Sequence, residues 1–146
     1  MELGLLSDFV STLSKELKIP KESWLSIYVT DDNQMRTLNS EFLNKKNSTD
    51  VLAFGEEPET WIKDGRKKRL FLGEVIVNVE AALSNSKRYE TTPDYELCLY
   101  IIHGILHLLG FSDTDTHKRA LMEKKQKKLL DKMNIKKQQN YGYIKY

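Results

Sequence analysis

Apolar residues mark out a short series of helices and strands along the chain. Phe9, Val10, Leu13 and Leu17 share one face of a helix predicted over 7–17, which Ser7 can cap and Pro20 follows. Over 24–30, Leu25, Ile27 and Val29 alternate with Ser26 and Tyr28, the period of a strand. Asp31 or Asp32 then caps a helix whose apolar stripe is Met35, Leu38 and Phe42. A polar loop, 44–48, leads into a short buried strand over 50–54. Asp64-Gly65 is a hairpin signal between Trp61-Ile62 and an apolar run over 70–79. A helix follows over 78–89. Thr92-Pro93 opens another, with threonine as the cap and proline at the first helical position. That helix is apolar almost all round (Leu97, Leu99, Ile101, Ile102, Ile105, Leu106, Leu108, Leu109), so it belongs in the middle of the domain. Gly110 stops it. A last, basic helix runs over 116–133, with Leu121, Leu129 and Met133 as its packing positions.

The expected order is α-β-α-β-β-β-α-α-α. It implies an α+β (mixed α/β) domain: a small mixed sheet packed with about five helices, the apolar helix at the centre. The 146 residues suit one domain spanning the whole chain. With 40% hydrophobic and 30% charged residues, the chain is neither disordered nor membrane-like. No apolar run approaches the roughly 20 residues of a membrane span. The start Met1-Glu2-Leu3-Gly4 lacks the basic opening of a secretory signal, and Cys98 is the sole cysteine. A reducing, cytoplasmic location is the expectation.

The net charge of +2 is unevenly distributed. Residues 117–146 hold ten Lys/Arg and two Asp/Glu, whereas 1–116 hold thirteen and nineteen. A basic C-terminal helix and tail on an acidic body suit a polyanionic partner, although a solvated lysine face has the same composition.

The three histidines all lie within fifteen residues. His103 and His107, four apart on the apolar helix, put both imidazoles on one face, close enough to share an ion. Two imidazoles buried there need partners. Gly104, inside the helix, costs about 1 kcal/mol relative to alanine and signals a close approach to the backbone. Past the Gly110 turn, Asp113 completes H-x3-H-x5-D, three ligands around one ion with a position left for water, the pattern of a catalytic zinc site. His117 competes with Asp113 for the third place. Asp115 is a weaker ligand candidate that suits a helix cap. A zinc peptidase of the H-E-x-x-H type needs glutamate after the first histidine; Gly104 stands there instead.

The run from His103 to Phe111, HGILHLLGF, resembles the H-G-x-L-H-L-x-G-aromatic signature of the YbeY family of bacterial metal-dependent endoribonucleases. Asn39 with Ser48-Thr49-Asp50-Val51-Leu52-Ala53-Phe54 is similar to that family's N…T-[DN]-V-L-S-F segment, and Leu72-Gly73-Glu74-Val75 to its L-G-[DE]-I strand. The resemblance implies one Zn²⁺ ion held by His103, His107 and the residue at the third position of H-x3-H-x5-H, here Asp113 rather than histidine. It also implies a single-strand-directed endoribonuclease acting in small-subunit rRNA 3′-end maturation and ribosome quality control, with rRNA and the small ribosomal subunit as partners. Many members carry an arginine, credited with a role in RNA cleavage, where this chain has Leu43. That role is lost here or falls to Lys45 or Lys46.

Glu74 is then a candidate for proton transfer, the Lys/Arg residues at 66–69 and 118–128 for phosphate contacts, and Trp61 or Phe111 for base stacking. Two other readings share these features. A zinc hydrolase of another substrate class lacks its expected glutamate. A non-catalytic ribosome-binding module would use the basic tail and hold zinc structurally.

Overall fold

The strand Phe71–Asn78 carries the packing on both of its faces. The computed structural model describes residues 3–20, 23–55 and 71–138. Their elements are α1 (Leu3–Glu16), β1 (Trp24–Thr30), α2 (Asp32–Leu43), β2 (Val51–Phe54), β3 (Phe71–Asn78), α3 (Val79–Arg88), α4 (Pro93–Leu108) and α5 (Thr116–Lys132). The sheet has the order β1-β3-β2, with β1 parallel and β2 antiparallel to β3. Because side chains alternate along a strand, β3 serves two cores. Val75 and Val77 join the main cluster with Leu13, Ile101, Ile105 and Leu106, while Ile76 turns the other way, to Met35 and Leu52 beneath α2. This is the α+β arrangement that the apolar pattern implied, with five helices and a small mixed sheet among the described residues.

α4 lies at the centre, as its all-round apolar composition requires. Three of its residues are isoleucines, each losing up to about 0.7 kcal/mol of helix propensity. Burial of each is worth about 1.5–3 kcal/mol, so packing outweighs propensity. Ile101, Ile102 and Ile105 are all fully buried. The ends follow the local sequence. Thr92 accepts from the Tyr95 amide (3.1 Å), with Pro93 next. At the other end Gly110 adopts a φ of 98°, and the Gly110 and Phe111 amides close back on the His107 and Leu106 carbonyls (both 3.0 Å). This is a Schellman stop, which glycine makes without strain.

Three packing assignments differ from the periodic reading. Phe42 is 63% exposed rather than part of the α2 stripe, where the polar Asn39 is buried with Met35 and Leu38 is partly buried. Leu121 is exposed, and its neighbour Met122 is buried instead with Leu129 and Leu130. Val29, near the end of edge strand β1, is also exposed. Phe42 and Val29 sit near the ends of their elements, whereas Leu121 lies one residue round the helix from the buried Met122 and so on its outward side. α1 begins at Leu3, so Ser7 lies inside it and does not cap it. The Trp61-Ile62 strand, the basic run 66–69 and the tail 141–146 lie outside the described residues.

Candidate metal centre

His103 and His107 project from the last two turns of α4, and the Schellman stop turns the chain so that Asp113 returns to them. His103 Nε2 and His107 Nε2 are 3.0 Å apart, and Asp113 Oδ2 is 3.5 and 3.7 Å from them respectively. One ligand atom from each residue lies within 4.8 Å of the other two. The rings meet edge to face, with an interplanar angle of 81°.

The outer nitrogen of each ring is already engaged. His107 Nδ1 is 3.1 Å from the carbonyl oxygen of Phe111, and His103 Nδ1 contacts Gln126 Oε1. Both partners are acceptors, so both Nδ1 atoms donate, and each neutral ring carries its lone pair on Nε2. Two lone pairs and a carboxylate therefore converge with no proton among them, an arrangement that repels unless a cation sits between. The spacings suit a small ion: bonds of about 2.0–2.1 Å in tetrahedral geometry place ligand atoms roughly 3.3–3.4 Å apart. Burial, and then the neighbouring His103, hold the His107 pKa below the usual histidine value, against the opposing pull of Asp113 and the Phe111 carbonyl. His107 thus stays neutral and ligand-competent near neutral pH.

Gln126 is the functional residue that periodicity missed. It occupies a buried position of α5 (8% exposed), on the stripe otherwise made by Met122, Leu129 and Leu130. A lone polar residue in an apolar stripe was the available signal. Gly104 has a different cause from the centre itself: a Cβ there would lie 2.6 Å from Val75 Cγ1 and 3.2 Å from Val51 Cγ2. The close approach is that of helix to sheet.

His107 also borders an open groove of about 760 Å³, whose walls include Asn39, Lys45, Lys46, Ser48 and Thr49. The loop forming this wall is pinned by two buried asparagines. Asn39 Nδ2 donates to the Asn47 carbonyl (2.7 Å), and the Asn39 backbone carbonyl accepts from the Lys45 amide (3.1 Å). Asn78 Nδ2 donates to Asp32 Oδ1 (2.6 Å), Ser48 Oγ (3.2 Å) and the Thr49 carbonyl (3.1 Å), while its Oδ1 caps α3 at Ala81 (3.1 Å).

The other sequence candidates fall elsewhere. His117 is exposed on the first turn of α5 and outside the three-residue group. Asp115 caps α5, accepting from the Lys118 amide at 2.8 Å. Strand alternation puts Glu74 on the same face of β3 as Ile76, towards α2, whereas Val75 faces α4. Leu43 lines the groove as an exposed apolar side chain. Lys118, Arg119, Lys124, Lys127 and Lys128 are exposed along α5. Trp61 lies outside the described residues, and Phe111 is bound to the centre through its backbone.

A centre of two helical imidazoles and one carboxylate, opening on a groove with lysines in its wall, defines a class: a candidate metal-dependent hydrolase. The model of the family described as endoribonuclease YbeY matches residues 3–134, and the chain belongs to that family. Its enzyme class is therefore that of a metal-dependent endoribonuclease. Similar curated proteins include the endoribonuclease YbeY of Thermodesulfovibrio yellowstonii, 34% identical over 113 residues (75% of this chain and 68% of that protein). That of Listeria welshimeri is 31% identical over 134 residues, covering 87% and 83%. Among solved structures, the solution structure of TM1509 from Thermotoga maritima superposes with a TM-score of 0.61 at 21% identity, covering 98% of this chain and 93% of that one. That likeness speaks to the fold. Among the described residues no helix is long and apolar enough to cross a membrane.

Proposed function

We propose that this chain is a single-strand-specific, zinc-dependent endoribonuclease that acts in the cytoplasm on small-subunit rRNA, in 3′-end maturation and ribosome quality control. His103, His107 and Asp113 are its metal ligands, and one domain, residues 1–146, carries the activity. The observation that supports this reading most directly is the convergence of two lone-pair-bearing Nε2 atoms and the Asp113 carboxylate beside a groove with Lys45 and Lys46 in its wall. Bound Zn²⁺ supplies Lewis acidity towards a phosphate oxygen and lowers the pKa of a coordinated water to about 7.

The chain's own residues perform the remaining tasks. Gln126 and the Phe111 carbonyl hold the two rings in the tautomer that offers Nε2 inward. Lys45 and Lys46 offset backbone charge where a strand enters the groove, replacing part of the electrostatics that an arginine at position 43 would have supplied. The exposed lysines of α5 add phosphate contacts without reading bases. Asp113 in place of a third histidine leaves the centre one charge less positive, which Zn²⁺ accommodates because it takes carboxylate oxygen as readily as imidazole nitrogen.

The test is metal analysis of the purified protein together with cleavage of single-stranded RNA. Cleavage that is lost with a chelator and in His107→Ala, and regained with Zn²⁺ in the wild type, is expected. Cleavage that persists in His107→Ala would remove the centre from the reaction.

A further inference from the structure

We propose that the ring of Phe42, backed by Phe54, is a stacking platform for one nucleobase of a single-stranded RNA whose backbone lies in the groove beside His107. The proposal rests on RNA being the substrate and adds the residue that engages a base.

Among the described residues Phe42 is the most exposed of the large apolar side chains, at 63%, on a helix whose Met35 is fully buried. Burial of a phenylalanine ring is favourable, and the fold leaves most of that gain unused. The ring is nevertheless held in place: its centroid lies 5.6 Å from that of Phe54 at an interplanar angle of 57°. A ring supported on one side by a tilted aromatic neighbour and otherwise largely exposed is suited to stacking a base. Its position also fits: Phe42 lies on the last turn of α2, next in the chain to Leu43, which lines the groove that His107 borders, while Phe54 supports it from the α2-facing side of β2. Lys45 and Lys46, in the same wall, match the charge of a phosphate backbone, and the Lys45 amide is fixed by the Asn39 carbonyl (3.1 Å). Aromatic faces combined with lysines along a groove are how proteins hold unpaired strands, since every base has a π-face but a duplex keeps its own stacked. The arrangement therefore selects single strands without reading sequence.

The experiment measures binding of a short fluorescent single-stranded oligoribonucleotide to the full chain, with chelator present so that the RNA stays intact. Phe42→Ala is expected to weaken binding about 5–150-fold, the range that stacking of one base spans. Phe42→Trp should bind at least as tightly as wild type, and Phe42→Leu should resemble Phe42→Ala. An abasic nucleotide at one position should weaken wild-type binding and erase the difference between wild type and Phe42→Ala. A 2-aminopurine at that position should be quenched on binding to wild type and not to Phe42→Leu. Equal affinity of Phe42→Ala and wild type, wild-type affinity in Phe42→Leu, or no single-strand binding at all would overturn the platform. The nuclease reading fails separately: Phe42-dependent binding without metal-dependent cleavage would remove the nuclease and keep the platform. Unchanged KM for cleavage in Phe42→Ala would do the reverse. Since Phe42 is exposed, all three variants should melt like the wild type, which a thermal scan checks.

Discussion

Gly104 and Val75 set the distance between the central helix and the sheet: a Cβ at position 104 would lie 2.6 Å from Val75 Cγ1. Val75 is fully buried and β-branched, so it has no free rotamer into which to retreat. Gly104→Ala is accordingly expected to destabilise the protein by up to about 2 kcal/mol, the overpacking cost of about 1–3 kcal/mol outweighing the roughly 1 kcal/mol gained in helix propensity. The loss should appear as a lower Tm. Val75→Ala in the same chain should cost less than the two single changes added together, which a double-mutant cycle reads.

Gln126 holds His103 through Nδ1, so its removal should weaken metal binding without touching a ligand. Gln126→Leu is expected to reduce Zn²⁺ or Co²⁺ affinity about 10–100-fold, as loss of such a supporting partner usually does. Gln126→Glu keeps an acceptor in place and should retain or tighten binding. Competition with a chromophoric chelator measures both. Unchanged affinity in Gln126→Leu would show that the ring is oriented by packing alone.

The choice between Asp113 and His117 is testable by metal content. Asp113 Oδ2 lies 3.5 and 3.7 Å from the two imidazoles, while His117 is exposed on α5. After dialysis, Asp113→Ala should lose most of its metal and His117→Ala should keep it. Asp113→His should also keep it, because imidazole is an equally acceptable ligand. Metal retained in Asp113→Ala and lost in His117→Ala would reverse the assignment.

Glu96 is buried on the first turn of α4, and that burial, with the Asp50 carboxylate nearby, raises its pKa above the usual glutamate value. The folded protein therefore binds this proton more tightly than the unfolded chain does. Its contribution to stability is fully present below the unfolded pKa and is lost as pH rises through the folded one. Glu96→Gln, which removes the charge and keeps the shape, should raise the Tm at pH 7 and leave it nearly unchanged at pH 4. A gain that is the same at both values would show that the effect is not electrostatic.

The order of the described elements, the central helix and its caps were legible in the sequence because each depends on neighbours in the chain. Thr92-Pro93 and Gly110 act within one turn, and an all-round apolar helix has only the interior to occupy. The spacing of His103 and His107 was legible for the same reason: four residues is one turn. Three things were decided by tertiary structure alone. Which third residue returns to the two imidazoles depends on the path after the Schellman turn. That Gln126, twenty-three residues from His103, touches its ring depends on how α5 packs across α4. That Phe42 faces outward while Asn39 turns inward depends on where the sheet beneath α2 ends. Periodicity records which side of an element is apolar; only the packed partner determines how far along that side the cover extends.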